Sequence, residues 1–124
     1  MISFDRAFVL VGLAWLIMGM VLGFYIAFAQ QVQFVQVHVA MMLSGFVLLT
    51  AYGLIYRAWP ALNETGLGHL QFWVATIAAL GQVFGALQFV LSGGTAITLV
   101  ALASALALLG ALIQAWLFLT RAAS

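Results

Sequence analysis

The sequence predicts an all-α integral membrane protein, in which four helices form a transmembrane bundle. Of the 124 residues, 68% are hydrophobic and 4% are charged, whereas a soluble domain carries about 25% charged residues. Polar interruptions divide the apolar sequence into four runs, each with the roughly 20 residues that a helix needs to cross a lipid bilayer. This composition excludes a soluble enzyme, and three basic residues are too few to form a nucleic-acid-binding face.

The four predicted helices form one transmembrane domain, residues 1–124, and three connections separate them. The first connection is a glutamine-rich turn, the second is longer and holds the only proline, and the third is a Ser-Gly-Gly turn. At 1.5 Å per residue, each run is long enough to span a hydrocarbon layer of about 30 Å. The predicted helices cover residues 6–29, 34–56, 69–91 and 95–120.

The arginines predict which way the bundle lies in the membrane. With four spans, Arg6, Arg57 and Arg121 all fall on one side, and the two connections on the other side carry no charge. Cytoplasmic loops of membrane proteins are enriched in basic residues. We therefore expect both termini to be cytoplasmic, and the membrane to be a prokaryotic inner membrane.

Two pairs of glycines lie one helical turn apart, Gly19 with Gly23 and Gly81 with Gly85. Small residues at this spacing let helix backbones approach closely, within the bundle or between protomers. Ordinary helix packing is the common use of such pairs. Beside a candidate ligand residue, a glycine would instead make room for a flat cofactor.

Ionisable side chains inside a membrane are the first place to look for function, because burying them in lipid is costly. No Asp, Glu, Lys or Arg lies well inside a predicted span, and the chain has no cysteine. This pattern disfavours a proton-driven exporter with an embedded carboxylate, a voltage sensor, and two-carboxylate or thiol catalysis. Two histidines remain as candidate functional residues.

His38 is the candidate ligand inside a predicted span. It lies about 7 Å below the outer surface by helical rise, and its spacing places it on one helix face with Met41, Met42 and Gly45. A haem edge needs such a surface, with an imidazole for the iron and a glycine where the macrocycle passes. The alternative is a histidine that hydrogen-bonds a backbone carbonyl or Gln88, which should lie near the same depth on the third helix.

His69 opens the third predicted helix on the opposite, cytoplasmic side. The two histidines of one protomer therefore cannot ligate the same iron, although His69 of another protomer stays a candidate metal ligand. The simpler interpretation of His69 is a polar side chain that faces the lipid headgroups.

A longer pattern surrounds His38. Residues 38–46 read HVAMMLSGF and residues 52–60 read YGLIYRAWP, so a histidine is followed by a glycine seven residues on and by a Gly-x-x-Tyr-Arg-x-x-Pro exit at the end of the helix. The next helix carries LQFWV at residues 70–74. Together these features resemble the haem–copper oxidase subunit I superfamily, including relatives of nitric oxide reductase and short homologues, over about residues 36–82. The resemblance implies that His38 is the axial ligand of a b-type haem near the outer face.

The chain departs from that family at positions that limit its chemistry. Many relatives carry a second histidine where this chain has Ala40, and others carry one where it has Gln71. The full oxidase also needs many more helices, copper-binding histidines and a second haem site. The resemblance therefore implies no oxygen reduction by this chain alone, and at most a role as a haem oxidoreductase component.

The single candidate ligand leads to two arrangements in the lipid bilayer. In a two-fold homo-oligomer, two His38 residues lie at equal depth and would clamp one haem, which favours electron transfer with a redox partner. Alternatively, each protomer holds a five-coordinate haem whose open side binds a diatomic gas, O2 or NO.

Two other functions remain open. The chain could be a non-catalytic accessory subunit of a larger membrane complex, packed through its small-residue faces and without a cofactor of its own. It could also bind copper, since the thioethers of Met41 and Met42 beside His38 suit Cu(I). Consecutive methionines point about 100° apart on a helix, so other helices would have to contribute ligands.

Overall fold

The computed structural model describes residues 3–121, and four long helices make up most of this part of the chain. Each helix is long and apolar enough to cross a membrane, as the composition predicts. Every helix begins and ends within three residues of its predicted bounds. The helices are α1 (Phe4–Ala29), α2 (Val32–Ala58), α3 (Gly66–Leu91) and α4 (Thr98–Arg121).

The helices pack as two antiparallel pairs. The first pair is α1 with α2 and the second is α3 with α4, and α2 joins them by packing against α3. The connections at 30–31 and 92–97 lie at one end of the bundle, which we call the Gln30 end. The start of α1, the connection at 59–65 and the end of α4 lie at the other, which we call the Pro60 end.

Side chains tie the Pro60 end together. The backbone N–H of Phe4 donates to Oδ1 of Asn63 at 3.1 Å, so the connection after Pro60 holds the start of α1. The rings of Trp59 and Phe118 meet edge-on with centroids 4.7 Å apart, which brings the end of α4 to the same place. Next to these contacts, a cluster of aromatic rings fills the core between α1, α2 and α3: Phe4, Phe8, Tyr52, Tyr56 and Phe72.

The connection between α3 and α4 depends on two glycines. Gly93 and Gly94 have φ angles of +70° and +90°, a left-handed region that side-chain-bearing residues rarely adopt. The hydroxyl of Ser92 accepts a hydrogen bond from the backbone N–H of Ala96 at 2.9 Å and closes the turn. The Ser-Gly-Gly sequence thus forms the tight turn that its composition predicts.

The middle of α2 is π-helical over Met41–Val47, between α-helical segments at Val35–Ala40 and Leu48–Ala58. A π turn holds one more residue than an α turn, and such turns are frequent at functional sites. The segment absorbs an extra residue, because His38 before it and Thr50 and Gly53 after it all lie against α1. On an unbroken α-helix, Thr50 would point about 120° away from His38.

Candidate functional site

The ring of His38 is half-buried in the seam between α1 and α2. Its Nδ1 lies 2.7 Å from the carbonyl oxygen of Gly19 in α1. A carbonyl oxygen only accepts hydrogen bonds, so Nδ1 carries the proton and donates it. In the neutral ring the lone pair is then on Nε2, which has no hydrogen-bond partner within residues 3–121. The sequence left two hydrogen-bond partners open for His38, a backbone carbonyl and Gln88. In the structure the partner is the carbonyl of Gly19.

The glycine pair of α1 makes room for this seam. A Cβ on Gly23 would lie 3.1 Å from Cε1 of His38, and a Cβ on Gly19 would lie 2.7 Å from Sδ of Met42. The same hypothetical Cβ on Gly19 would be 3.4 Å from Cβ of Met41. The pair therefore serves helix packing within one chain, and it brings three of the expected site residues to one side of α1.

Gly45 shares this side of α2, but its neighbour is not a place for a cofactor. A Cβ there would lie 2.7 Å from Cβ of Trp15, whose side chain is buried. The indole of α1 thus fills the space that we expected the macrocycle of a haem to occupy. A haem bound at His38 cannot also lie against Gly45 in this arrangement.

Gln88 does not lie near this seam. It is exposed on α3 and lines a surface groove shared with α4, together with Phe84, Leu91 and Leu99. The depth estimate from the sequence could not show which side of α3 the residue occupies. The structure thus brings together His38, Met41, Met42 and Gly45 along α1, and leaves Gln88 apart from them.

His69 is exposed at the Pro60 end, whereas His38 lies against the half of α1 towards the Gln30 end. The Nε2 atom of His69 accepts a hydrogen bond from Nε1 of Trp73 at 3.2 Å, and its ring meets Phe4 edge-on at 5.6 Å. Its Nε2 lone pair is therefore in use within the chain. No group of three or more His, Cys, Asp or Glu side chains forms a metal site anywhere in residues 3–121.

Sequence reasoning missed a second polar region, between α2, α3 and α4. Gln71 is fully buried, and the hydroxyl of Tyr56 donates to its Oε1 at 3.1 Å. Gln82 donates to the hydroxyl of Ser104 at 3.0 Å, so both glutamines form hydrogen bonds between helices. Gln114 is also buried, yet neither of its amide atoms has a partner in the described part of the chain.

Comparison of the chain with protein-family models, with curated proteins and with solved structures gives no match. The resemblance to haem–copper oxidases over residues 36–82 therefore stays a prediction.

Proposed function

We propose that this chain is a small integral membrane protein that binds b-type haem, with Nε2 of His38 as an axial ligand of the iron. Its role is electron transfer or the binding of a diatomic gas. When bound, the haem supplies the redox or gas-binding chemistry, and the protein supplies the ligand, its orientation and a dry surrounding.

The observation that carries this proposal is the hydrogen bond from Nδ1 of His38 to the carbonyl of Gly19. Histidines that ligate metals commonly donate their other ring N–H to a carbonyl or carboxylate, which fixes the tautomer and the ring orientation. His38 is held in this way before any metal binds. His69 lacks this arrangement, because its Nε2 accepts from Trp73.

The ligand fits a haem, but one chain does not enclose the macrocycle. The space beside Gly45 holds Trp15, so the porphyrin would lie along the outside of the α1–α2 seam. A second copy of the chain, placed by a two-fold axis along the membrane normal, would cover it and supply a second His38 at the same depth. We therefore propose a homo-oligomer.

The proposed orientation has both termini in the cytoplasm, in a prokaryotic inner membrane. Its support is the charge distribution: Arg6, Arg57 and Arg121 all lie at the Pro60 end, and the connections at the Gln30 end carry no charge. His38 then lies in the outer half of the membrane.

Visible spectra test the haem proposal. The wild type, His38→Ala and the matched control His69→Ala are purified in detergent with haem supplied in excess. We expect a Soret band that shifts on dithionite reduction in the wild type and in His69→Ala, and its loss in His38→Ala. A colourless wild-type protein would refute the proposal.

The reduced spectrum separates the two roles. Sharp α and β bands that do not respond to CO indicate a six-coordinate iron and electron transfer. A broad spectrum that changes with CO indicates an open coordination position and gas binding.

Copper is a second candidate, because Sδ of Met42 and the ring of His38 both lie against Gly19. A thioether and an imidazole are ligands that Cu(I) accepts. Competition with a coloured Cu(I) chelator would show binding that falls in both His38→Ala and Met42→Leu. If neither haem nor Cu(I) binds, the results favour the accessory-subunit function. The chain should then co-purify with a larger membrane complex.

A further inference from the structure

The interior between α2, α3 and α4 contains more polar atoms than partners for them. The hydroxyl of Tyr52, Nε2 of Gln71 and both amide atoms of Gln114 have no hydrogen-bond partner within residues 3–121. All three side chains are at most 5% exposed. An unpaired polar group in a dry interior is costly, and more so inside a membrane. Hydrogen bonds between the helices therefore do not satisfy these polar atoms.

Two of these side chains lie opposite each other. In the α3–α4 seam, a Cβ on Gly110 would lie 3.7 Å from Cα of Ala75, so these two residues are level. The helices are antiparallel, and one turn further towards the Pro60 end this register places Gln71 beside Gln114. The unpaired amide atoms of Gln71 and Gln114 thus belong to one buried cluster. The hydroxyl of Tyr56 joins this cluster through its hydrogen bond to Gln71.

A small cavity lies about one helical turn from this cluster, because its lining includes Ala75, four residues after Gln71. Its volume is about 10 Å³, and Ser44, Tyr52, Gln82 and Ala107 are among the residues that line it. A cavity needs roughly 10–15 Å³ and some polar partners to hold one water molecule. The cavity is at the lower end of that size, and Ser44, Tyr52 and Gln82 are the polar residues in its lining.

A larger opening lies beside this cavity. Ser44 and Gln82 also line a cleft of about 410 Å³ between α2, α3 and the start of α4, with Gln36 and Phe89. This cleft lies towards the Gln30 end, because its lining includes Ile97 in the connection before α4. The two shared residues, both polar, thus lie between the cleft and the small cavity that Tyr52 lines.

The opposite side of the cluster is closed. A second open cavity of about 440 Å³ lies at the Pro60 end, lined by Glu64 and Thr120 among others. Its inner wall includes Leu67 and Leu117, which stand one turn from Gln71 and Gln114, and Leu117 is 1% exposed. An apolar side chain thus separates this cavity from the buried cluster.

We propose that water enters the bundle from the cleft at the Gln30 end, fills the small cavity beside Tyr52 and reaches the Gln71–Gln114 cluster. Leu117 separates this water from the cavity at the Pro60 end. Water molecules there supply the hydrogen bonds that the unpaired hydroxyl and amides lack. The result is a one-sided aqueous path that gives water and protons access to the interior from one face of the membrane only.

The chain has no cysteine, so single cysteines test this path directly. Ala107→Cys lines the small cavity, whereas Ala105→Cys, two residues away on α4, is exposed on the outer surface of the bundle. The protein is reconstituted in vesicles and treated with Ag⁺, a thiol-reactive ion small enough for a narrow path. Mass spectrometry after denaturation and maleimide labelling then counts the thiols that Ag⁺ has protected.

We expect Ala107→Cys to be protected at least about tenfold faster than Ala105→Cys, because a cation does not enter hydrocarbon. Protection should occur with Ag⁺ on the Gln30 side only. Equal slow rates at the two positions would overturn the proposal, and protection from both sides would overturn the seal. Ala78→Cys, which lines the same small cavity but not the open cleft, gives the same test if Ala107→Cys does not fold.

Discussion

At the scale of single residues, the partner of His38 matters more than its depth. The sequence identifies the residue, because it is the only His, Asp, Glu, Lys or Arg side chain well inside a predicted span. It cannot identify the tautomer, which depends on a carbonyl nineteen residues away in α1. The same limit applies to Gly45. Its spacing from His38 suits the edge of a cofactor, and only the structure shows that Trp15 fills the space beside it.

Gly45→Ala tests the contact between these two helices. The new Cβ would lie 2.7 Å from Cβ of Trp15, an atom too close to the backbone to rotate away. We expect a loss of about 1–3 kcal/mol in the free energy of unfolding, as for other overpacked sites, measured by SDS titration in detergent. Gly66→Ala is the control, because no atom lies within 4 Å of a Cβ there. Equal stability of the two variants would show that Trp15 does not pack against Gly45.

Tyr52→Phe distinguishes a hydrated interior from a dry one by the sign of its effect. If water satisfies the Tyr52 hydroxyl, the variant loses a hydrogen bond and about 0.5–1.5 kcal/mol of stability. If the hydroxyl is unpaired, its removal leaves stability unchanged or raises it. Tyr56→Phe provides the reference, because the Tyr56 hydroxyl donates to Gln71 at 3.1 Å. Its removal should lower stability by a similar amount. The unfolding titration used for Gly45→Ala gives both values.

At the scale of whole helices, composition is sufficient for most of the fold. Four apolar runs and the turn residues between them give all four helices with close bounds, because a bilayer-spanning helix needs a fixed length of apolar sequence. The π-helical segment in α2 carries no such signal. It forms where His38 and Gly53, on either side, must both face α1, and that requirement comes from packing.

A pair of deletions tests the role of the π-helical segment. Leu43 and Leu54 are each 57% exposed, and both belong to α2, but only Leu43 lies in the π-helical part. Deleting Leu43 should convert the wide turn to an α turn, so that both flanks of the helix keep their faces. Deleting Leu54 should rotate the end of α2 by about 100° and turn Tyr56 out of the core.

We therefore expect the protein without Leu43 to elute as a single symmetric peak in size-exclusion chromatography. The protein without Leu54 should aggregate or fail to accumulate. Equal behaviour of the two deletions would contradict the assignment of an absorbed residue to Met41–Val47.

At the scale of the whole molecule, the proposed haem site depends on whether two copies of the chain share one haem. One chain contributes a single axial histidine in the α1–α2 seam, and its other histidine lies at the far end of the bundle. A two-fold dimer resolves this shortage, because symmetry places both His38 side chains at one depth. The number of haems per chain therefore reports the arrangement.

Mixed oligomers test more directly whether two chains share one haem. Wild-type chains and His38→Ala chains are unfolded together, mixed in equal amounts, refolded with excess haem and compared with wild type alone. If one haem is held by two His38 residues, only dimers of two wild-type chains bind it, and random pairing leaves about a quarter of the six-coordinate absorbance. If each chain holds its own haem, about half of the absorbance remains, with a five-coordinate spectrum. A value near one half with sharp six-coordinate bands would contradict the bis-histidine dimer, because the second ligand must then be a residue other than His38.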